Sequence, residues 1–398
     1  MKVVLDPVHG YIELDDLVQD LLSTPQMQRL RRVRQLGFSN LVYPGANHSR
    51  FEHSLGTMHL ASMLTRSLDS IEEDKKTEIK AAALLHDVGH GPFSHVTENV
   101  IDKYTRRRHE DVKGILGKGE IREILNKYGI SPGNLVKHIK GETSLGQILS
   151  SEIDVDRMDY LVRDAHYTGV AFGVVDYNRL IKQMNFYEDR LVVDYGGLKA
   201  AESLLVSRLW MNTSVYYHHV TRISEAMCSR SVEYMIENNE LDPFRLRYMD
   251  DIDLVASMRN ATGYAGELAR MLDARKLYKR ALYVGLADVG KAVLRHRDRI
   301  RRVEKEIAEL AGVDSKYVLV DIPKTPEMLE MQAMIKTDHK MIPLNEASHF
   351  VSILQEAQMD NWRMGVYSPK EYCEVVGKAA RDYFDIKKPL KQFKLSDL

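Results

Sequence analysis

From Leu17 to about residue 240 the apolar residues recur at helical spacing, and no other feature limits the fold so strongly. Leu17, Leu21 and Leu22 form one amphipathic stretch. Met27, Leu30, Val33 and Leu36 carry the next, opened by Pro25 with Thr24 as its cap and stopped by Gly37. Ser49-Arg50-Phe51-Glu52 reads as a capping box, and the helix behind it carries Phe51, Leu55, Met58 and Leu64. Helices are also expected over Ile79 to Leu85, Glu152 to Val162 and Leu198 to Glu237. Ahead of them, Lys2 to Leu14 reads as a small hairpin around Pro7-Val8-His9-Gly10. The pattern predicts a mainly α fold.

The composition shifts after residue 240. Asp251 to Leu310 still reads as helical, whereas Tyr317 to Ile322 and Phe350 to Leu354 look like strands, and Pro369 to Tyr383 is the last expected helix. Two domains follow: a helical core over residues 1–240, then a helical extension with a small α+β region over 241–398. With 56 Lys+Arg against 57 Asp+Glu the net charge is −1, which argues against a general polyanion binder, so nucleic acid is not an expected partner. The basic run Arg295, Arg297, Arg299, Arg301 and Arg302 is interleaved with Asp298, Glu304 and Glu306 and reads as a solvated helix face. The Met-rich stretch Met328 to Met334 reads as packing. Cys228 and Cys373 supply neither a disulfide framework nor a CxxC metal site. No apolar run approaches the ~18 residues of a membrane span and no secretory signal opens the chain, so a cytoplasmic protein is expected, with no membrane partner.

The chemistry concentrates in Leu85-His86-Asp87-Val88-Gly89-His90-Gly91, at the end of an apolar, alanine-rich helix. A His-Asp pair is also what a capping aspartate beside a core histidine produces. His53 on a separate helix and Asp156 on a third extend it to two imidazoles and two carboxylates, a set suited to a first-row divalent ion such as Mn, Fe, Ni or Zn. Four protein ligands on a six-coordinate ion leave two places, one for water and one for a phosphate oxygen. Arg50 precedes His53 by three residues on the same helix face, where a guanidinium can grip phosphate. Asp156, Tyr160 and Asp164 recur at i, i+4 and i+8, with Arg157 beside the first; an intrahelical charge network, such as Asp159 with Arg163, is the alternative.

Together, His53, His86-Asp87 and Asp156 resemble the HD superfamily of metal-dependent phosphohydrolases. Asp6-Pro7-Val8-His9-Gly10, Thr24-Pro25-Gln26-Met27-Gln28-Arg29-Leu30-Arg31, Arg50-Phe51-Glu52-His53-Ser54-Leu55-Gly56, His86 through His95, and Asp154-Val155-Asp156-Arg157-Met158-Asp159-Tyr160 are similar to one branch, the deoxynucleoside triphosphate triphosphohydrolases. The resemblance spans roughly residues 1–245 and implies an HD-domain helical fold. It implies a divalent metal ion (Mn, Mg, Fe, Ni or Zn) on His53, His86, Asp87 and Asp156. It places Arg157 on phosphate, Tyr160 under the deoxyribose and Asp164 on its 3′-hydroxyl. His95 and His109, with Glu98 as orienting partner, lie near the leaving group, and His90 could touch phosphate or a second metal.

Arg208 and Tyr216 match a phosphate-binding arginine and a sugar-proximal tyrosine, although Asn212 stands where a histidine is often found. Gln35-Leu36 resembles the pair lining the sugar pocket. The implied reaction is hydrolysis of a dNTP to a deoxynucleoside and inorganic triphosphate by a homo-oligomer, a dimer or tetramer, with a nucleotide activator in some members. Gln28 and Arg31 match activator positions, but Ser23 and Gly266 depart from the residues that read guanine there. Two rivals stand beside this reading: a phosphatase or phosphodiesterase acting on other nucleotides, and a nucleotide- or nucleic-acid-binding regulator with little turnover.

Overall fold

The computed structural model describes residues 2–325 and 329–386. The chain forms two compact units: Met1–Arg275 with Met328–Gln355, and Lys276–Glu327 with Glu356–Leu398.

The first unit opens with the antiparallel hairpin of β1 (Lys2–Asp6) and β2 (Gly10–Leu14), in which Asp6 pairs with Gly10 across the turn. Helices α1 (Asp16–Leu22) and α2 (Pro25–Leu30) follow. The helical period predicted through Leu36 ends at Leu30, because tertiary pairing takes over the backbone. The amide of Arg50 bonds to the carbonyl of Val33, that of Gln35 to His48, and Arg34 bridges to Ser49. Val33 and Leu36 stay buried without the helix.

Helix α3 (Arg50–Arg66) starts at the Ser49–Glu52 capping box read from the sequence. Its neighbour α4 (Glu73–Leu85) is fully buried from Ala81 to Leu85, each leucine there contributing about 1.5–3 kcal/mol of burial. It ends in a 3-10 turn, His86–Gly89, which hands the chain to α5 (Ser94–Thr105). Three short helices, α6 (Lys113–Leu116), α7 (Gly119–Lys127) and α8 (Pro132–Ile139), lead to α9 (Val155–Thr168), which packs on α3. Gly56 permits that packing: a methyl group there would lie 1.8 Å from a carboxylate oxygen of Asp159.

After α10 (Tyr177–Gln183), β3 (Met184–Tyr187) and β4 (Arg190–Asp194) form a hairpin the helical reading passed over. Strand Met334–Lys336 adds to it in parallel and Met341–Pro343 completes a four-stranded sheet. The single helix expected over Leu198 to Glu237 is two, α11 (Leu198–Met211) and α12 (His219–Glu237), separated by a π turn over Asn212–Tyr216. Helices α13 (Pro243–Leu246), α14 (Asp251–Asn260) and α15 (Gly263–Asp273) close the unit.

In the second unit, Lys279–Gly285 is a strand rather than part of the expected helix. Its partner Arg363–Ser368 runs between it and Leu319–Asp321, the latter inside the predicted strand. The helices Ile300–Ala311 and Cys373–Tyr383 supply Val303, Ile307, Val376 and Ala380 to the unit's core. In the part of the first unit contributed by Met328–Gln355, Phe350 to Leu354, expected as a strand, lies in the helix His349–Asp360, which leaves Phe350 and Ile353 exposed while Val351 and Leu354 are buried. Of the Met-rich stretch, Met331 is buried and Met328 lies outside the described residues. Among the described residues no helix is long and apolar enough to cross a membrane.

Candidate metal centre and nucleotide site

Three elements of the first unit converge on one point. His53 projects from the first turn of α3, His86 opens the 3-10 turn after α4, and Asp156 sits in the first turn of α9. Their ligand atoms all lie within 4.8 Å of one another. The Nε2 of His53 is 2.8 Å from Asp156 Oδ1, that of His86 is 3.4 Å from the same oxygen, and the two nitrogens are 3.3 Å apart. Asp87 borders the trio: Oδ1 is 3.3 Å from His86 Nε2, and Oδ2 is 3.9 Å from His53 Nε2.

Each imidazole is oriented through its other nitrogen. His86 Nδ1 lies 2.7 Å from the carbonyl of Ala83, and His53 Nδ1 lies 2.8 Å from Asp159 Oδ2. Both Nε2 atoms therefore face the common point, the tautomer a metal ligand needs. The charge pattern also fits a cation. Burial works against a charged His53, yet hydrogen bonds donated to Asp156 and Asp159 raise its pKa to about 10. Burial likewise opposes ionisation of Asp156, but His53 and His86 hold its carboxyl well below the usual carboxylate range. A carboxylate set that stabilises positive charge on an imidazole suits a divalent ion at the same place.

From Asp87 a polar chain runs to the second expected group. Arg50, buried on α3, bonds through Nη1 to Asp87 Oδ2 at 2.6 Å and through Nε to the Ser94 hydroxyl. His90 Nε2 is 3.3 Å from Asp87 Oδ1, and the His90 ring stacks on His109 with centroids 4.1 Å apart. His109 Nδ1 bonds to Glu98 on α5. Burial disfavours both charges of that pair, but the bond raises the His109 pKa and lowers that of Glu98 to about 2. For His95, desolvation and then the charge of Arg50 push the pKa down to about 4, with Glu98 acting in the opposite direction. The ring of His90 is 6.3 Å from that of His95.

A second chain starts at His53. The Tyr160 ring centroid is 6.4 Å from that of His53 and 6.3 Å from that of Tyr216. Tyr216 donates its hydroxyl to Asp164 Oδ2 at 2.7 Å, and His48 Nε2 holds Asp164 Oδ1 at 2.7 Å. Arg208 acts electrostatically on both tyrosines. The carbonyl of His48 receives the amide of Gln35, so the Gln35-Leu36 segment lies against the same histidine. Both residues are buried, and Gln35 Oε1 has no hydrogen-bond partner among the described residues. The Arg157 guanidinium bonds through Nη1 to Asp154 and to the carbonyl of Ser151.

The sequence reading offers Asp159 with Arg163 as a charge network, and that pair forms at 2.9 Å; the contacts of His48 with Asp164 and of Asp159 with His53 and His9 escape it. Asp159 stood inside the motif Asp154 to Tyr160, but its partners His53 and His9 come from remote segments. His48 lies two residues before Arg50, and nothing in its immediate sequence marks the contact with Asp164.

An HD domain model matches residues 50–164, and an HD-associated region model matches residues 175–395. An uncharacterized protein of Methanocaldococcus jannaschii is 36% identical over 380 residues, covering 93% of this chain and 80% of that protein. The deoxynucleoside triphosphate triphosphohydrolase SAMHD1 of Gallus gallus is 29% identical over 348 residues, 70% of this chain and 56% of its own length. The crystal structure of a phosphohydrolase from Bacteroides thetaiotaomicron superposes with a TM-score of 0.75 at 26% identity, covering 93% of this chain and all of that one.

Proposed function

The chain belongs to the HD-domain family that carries the HD-associated region, and on that footing we propose that it hydrolyses dNTPs to deoxynucleoside and inorganic triphosphate. The coarse activity is that of a metal-dependent phosphohydrolase. The observation that carries the finer reading is Asp164, joined to both Tyr216 and His48, the latter's carbonyl in turn holding the amide of buried Gln35. That is a polar pocket for a sugar, one aromatic ring away from the metal ligands.

A divalent cation (Mn, Mg, Fe, Ni or Zn) on His53, His86, Asp87 and Asp156 would supply Lewis-acid charge and an acidified water beside the α-phosphate. Arg50 uses Nε and Nη1 within the protein, which leaves Nη2 for a phosphate oxygen. Arg208 and Arg157 add charge along the triphosphate, and His90 and neutral His95 line its path. His109, which keeps its proton at higher pH than an ordinary histidine, donates from Nε2 to the departing 5′-oxygen while Glu98 holds Nδ1. Tyr160 and Tyr216 face the deoxyribose, Asp164 accepts from its 3′-hydroxyl, and Gln35-Leu36 close the 2′ side.

A phosphatase acting on other nucleotides is the alternative reading, and Arg157, Tyr160 and Asp164 speak against it. Incubating the protein with each of the four dNTPs and Mn or Mg, then separating products, decides between them. Inorganic triphosphate supports the proposal, and orthophosphate from every substrate overturns it. Including a second nucleotide in the same assay tests for an activator. Gln28 and Arg31 are joined at 3.0 Å, and Arg31 lines a cleft of about 600 Å³ with Arg32, Arg34 and Arg259. A cytoplasmic homo-oligomer, dimer or tetramer, without membrane or nucleic-acid partners completes the proposal.

A further inference from the structure

Arg247, the residue that ends α13, is buried, and no carboxylate among the described residues forms an ion pair with it. Among the described residues its guanidinium bonds to main-chain carbonyls. Nε reaches Gly89 at 3.1 Å, while Nη2 reaches His109 at 3.3 Å and Asp111 at 2.9 Å. Gly89 belongs to the turn that carries His86 and Asp87, and His109 and Asp111 belong to the irregular segment after α5. The two backbones meet closely: a methyl group on Gly89 would lie 1.9 Å from the carbonyl of His109. Two residues on, the carbonyl of Met249 receives Arg29, whose guanidinium also binds the carbonyls of Val88 and His90. Residues 247–249 thus grip both sides of the metal-site turn.

We propose that Arg247 is a positioning residue that docks the His109 segment onto the metal-site turn, fixing the distance between the leaving-group acid and the α-phosphate. The inference rests on the reading of His109 as proton donor. A planar guanidinium can serve carbonyls on two separate segments at once, whereas an ammonium is a point donor. His109 has no regular secondary structure to hold it, so side-chain contacts must: Glu98 fixes the ring and Arg247 fixes the main chain. A small displacement of a reacting group is costly in rate without costing binding.

The test uses the full chain loaded with Mn. Arg247→Lys should lower kcat by about tenfold to a hundredfold, the scale set by misplacing a catalytic group, with KM and Mn affinity essentially unchanged. The same variant should lose much less on p-nitrophenyl triphosphate, where nitrophenolate leaves without needing a proton. Gly89→Ala, whose methyl group would meet the His109 carbonyl at 1.9 Å and Arg247 Nη2 at 2.8 Å, disturbs the same junction from the turn side; it should reproduce that pattern and carries the test should the lysine variant fail to fold. Unchanged kcat in Arg247→Lys, a loss of Mn affinity parallel to the loss of kcat, or equal defects with both leaving groups would each overturn the inference. His109→Gln in the same assays separates the layers. If it turns over normally, the reading of His109 fails; if it is slow while Arg247→Lys is normal, only the inference fails.

Discussion

The Nδ1 of His53 lies 2.8 Å from one oxygen of Asp159, and the other oxygen of Asp159 lies 2.6 Å from Nε2 of His9. A candidate metal ligand is thereby tied through one buried carboxylate to the turn of the N-terminal hairpin. Arg163 binds both oxygens of Asp159 at 2.9 Å and also reaches Asp6 at 2.8 Å. The network is dry, with Arg163 and Asp159 fully buried, and every charge in it is paired. Such a carboxylate fixes the imidazole tautomer and strengthens it as a donor.

Asp159→Asn should therefore weaken Mn binding by about 10- to 100-fold, the usual cost of removing an outer partner of a metal-bound histidine. It should also destabilise the fold by on the order of 3 kcal/mol, because Arg163 loses half of its compensation in a dry site. Competition against a chelating dye measures the first effect and denaturant unfolding the second. Wild-type Mn affinity in a folded variant would remove Asp159 from the site.

Replacing His86 or Asp87 with Ala should abolish metal binding and hydrolysis together, since each removes one ligand and leaves buried neighbours unpaired. Asp87→Ala strips Arg50 of its 2.6 Å partner and should be the less stable of the two. Metal analysis after desalting is the check; full occupancy in both variants would refute the ligand assignment.

His95→Ala and His109→Ala should retain the metal and lose turnover, by up to about 10²–10⁴ for the residue that donates the proton. The environments assign that larger loss to His109, because Glu98 raises its pKa while desolvation and Arg50 lower that of His95. If the two act as one unit, the double variant should lose little beyond the worse single. Equal wild-type rates in both singles would take them out of the mechanism.

The Glu98–His109 pair also predicts a pH window for stability. The folded pKa of His109 is raised above 6.5, so its contribution is complete below 6.5 and is lost as pH rises through the folded value. The folded pKa of Glu98 is lowered from 4.5 to about 2, so its contribution is complete above 4.5 and is lost as pH falls toward 2. The pair is strongest between those limits. Glu98→Gln should flatten the stability profile on both sides, as read by thermal unfolding across pH, and an unchanged profile would show that the pair contributes nothing.

Local signals made the helical half legible. The capping box at Ser49 and Glu52, Pro25 behind Thr24, and the hairpin turn before Gly10 each fix backbone through neighbouring residues. The misread segments depended on distant ones. Strand Met334–Lys336 is three residues long and pairs in parallel with β4, more than 130 residues earlier, so it has no period of its own to read. Phe350 to Leu354 is apolar enough for a strand, yet its buried members Val351 and Leu354 are three apart, a helical interval. In the same way the candidate metal-ligating residues were legible from motif spacing and converge in the fold, whereas His48, Asp159 and Arg247 make contacts to remote segments that the motifs do not contain.

Sugar selectivity is the last prediction. Asp164 accepts from Tyr216 and His48 at 2.7 Å each, and a carboxylate has further lone pairs for a 3′-hydroxyl. A site that hydrogen-bonds a substrate hydroxyl rejects an analogue lacking it far more strongly than an apolar pocket rejects an added group. Hence 2′,3′-dideoxy-ATP should be a very poor substrate compared with dATP. On the proposed placement of Gln35 and Leu36 at the 2′ side of the sugar, ATP should be disfavoured. Asp164→Asn should slow dATP hydrolysis without changing metal content, and Tyr160→Ala should narrow the gap between dATP and ATP. His48→Phe should resemble Asp164→Asn, since both leave the carboxylate position misdirected. Rates for the three nucleotides on the wild type and these variants test the set. Equal rates on the wild type would mean that the sugar is not read and would move the assignment to a general nucleotide phosphatase.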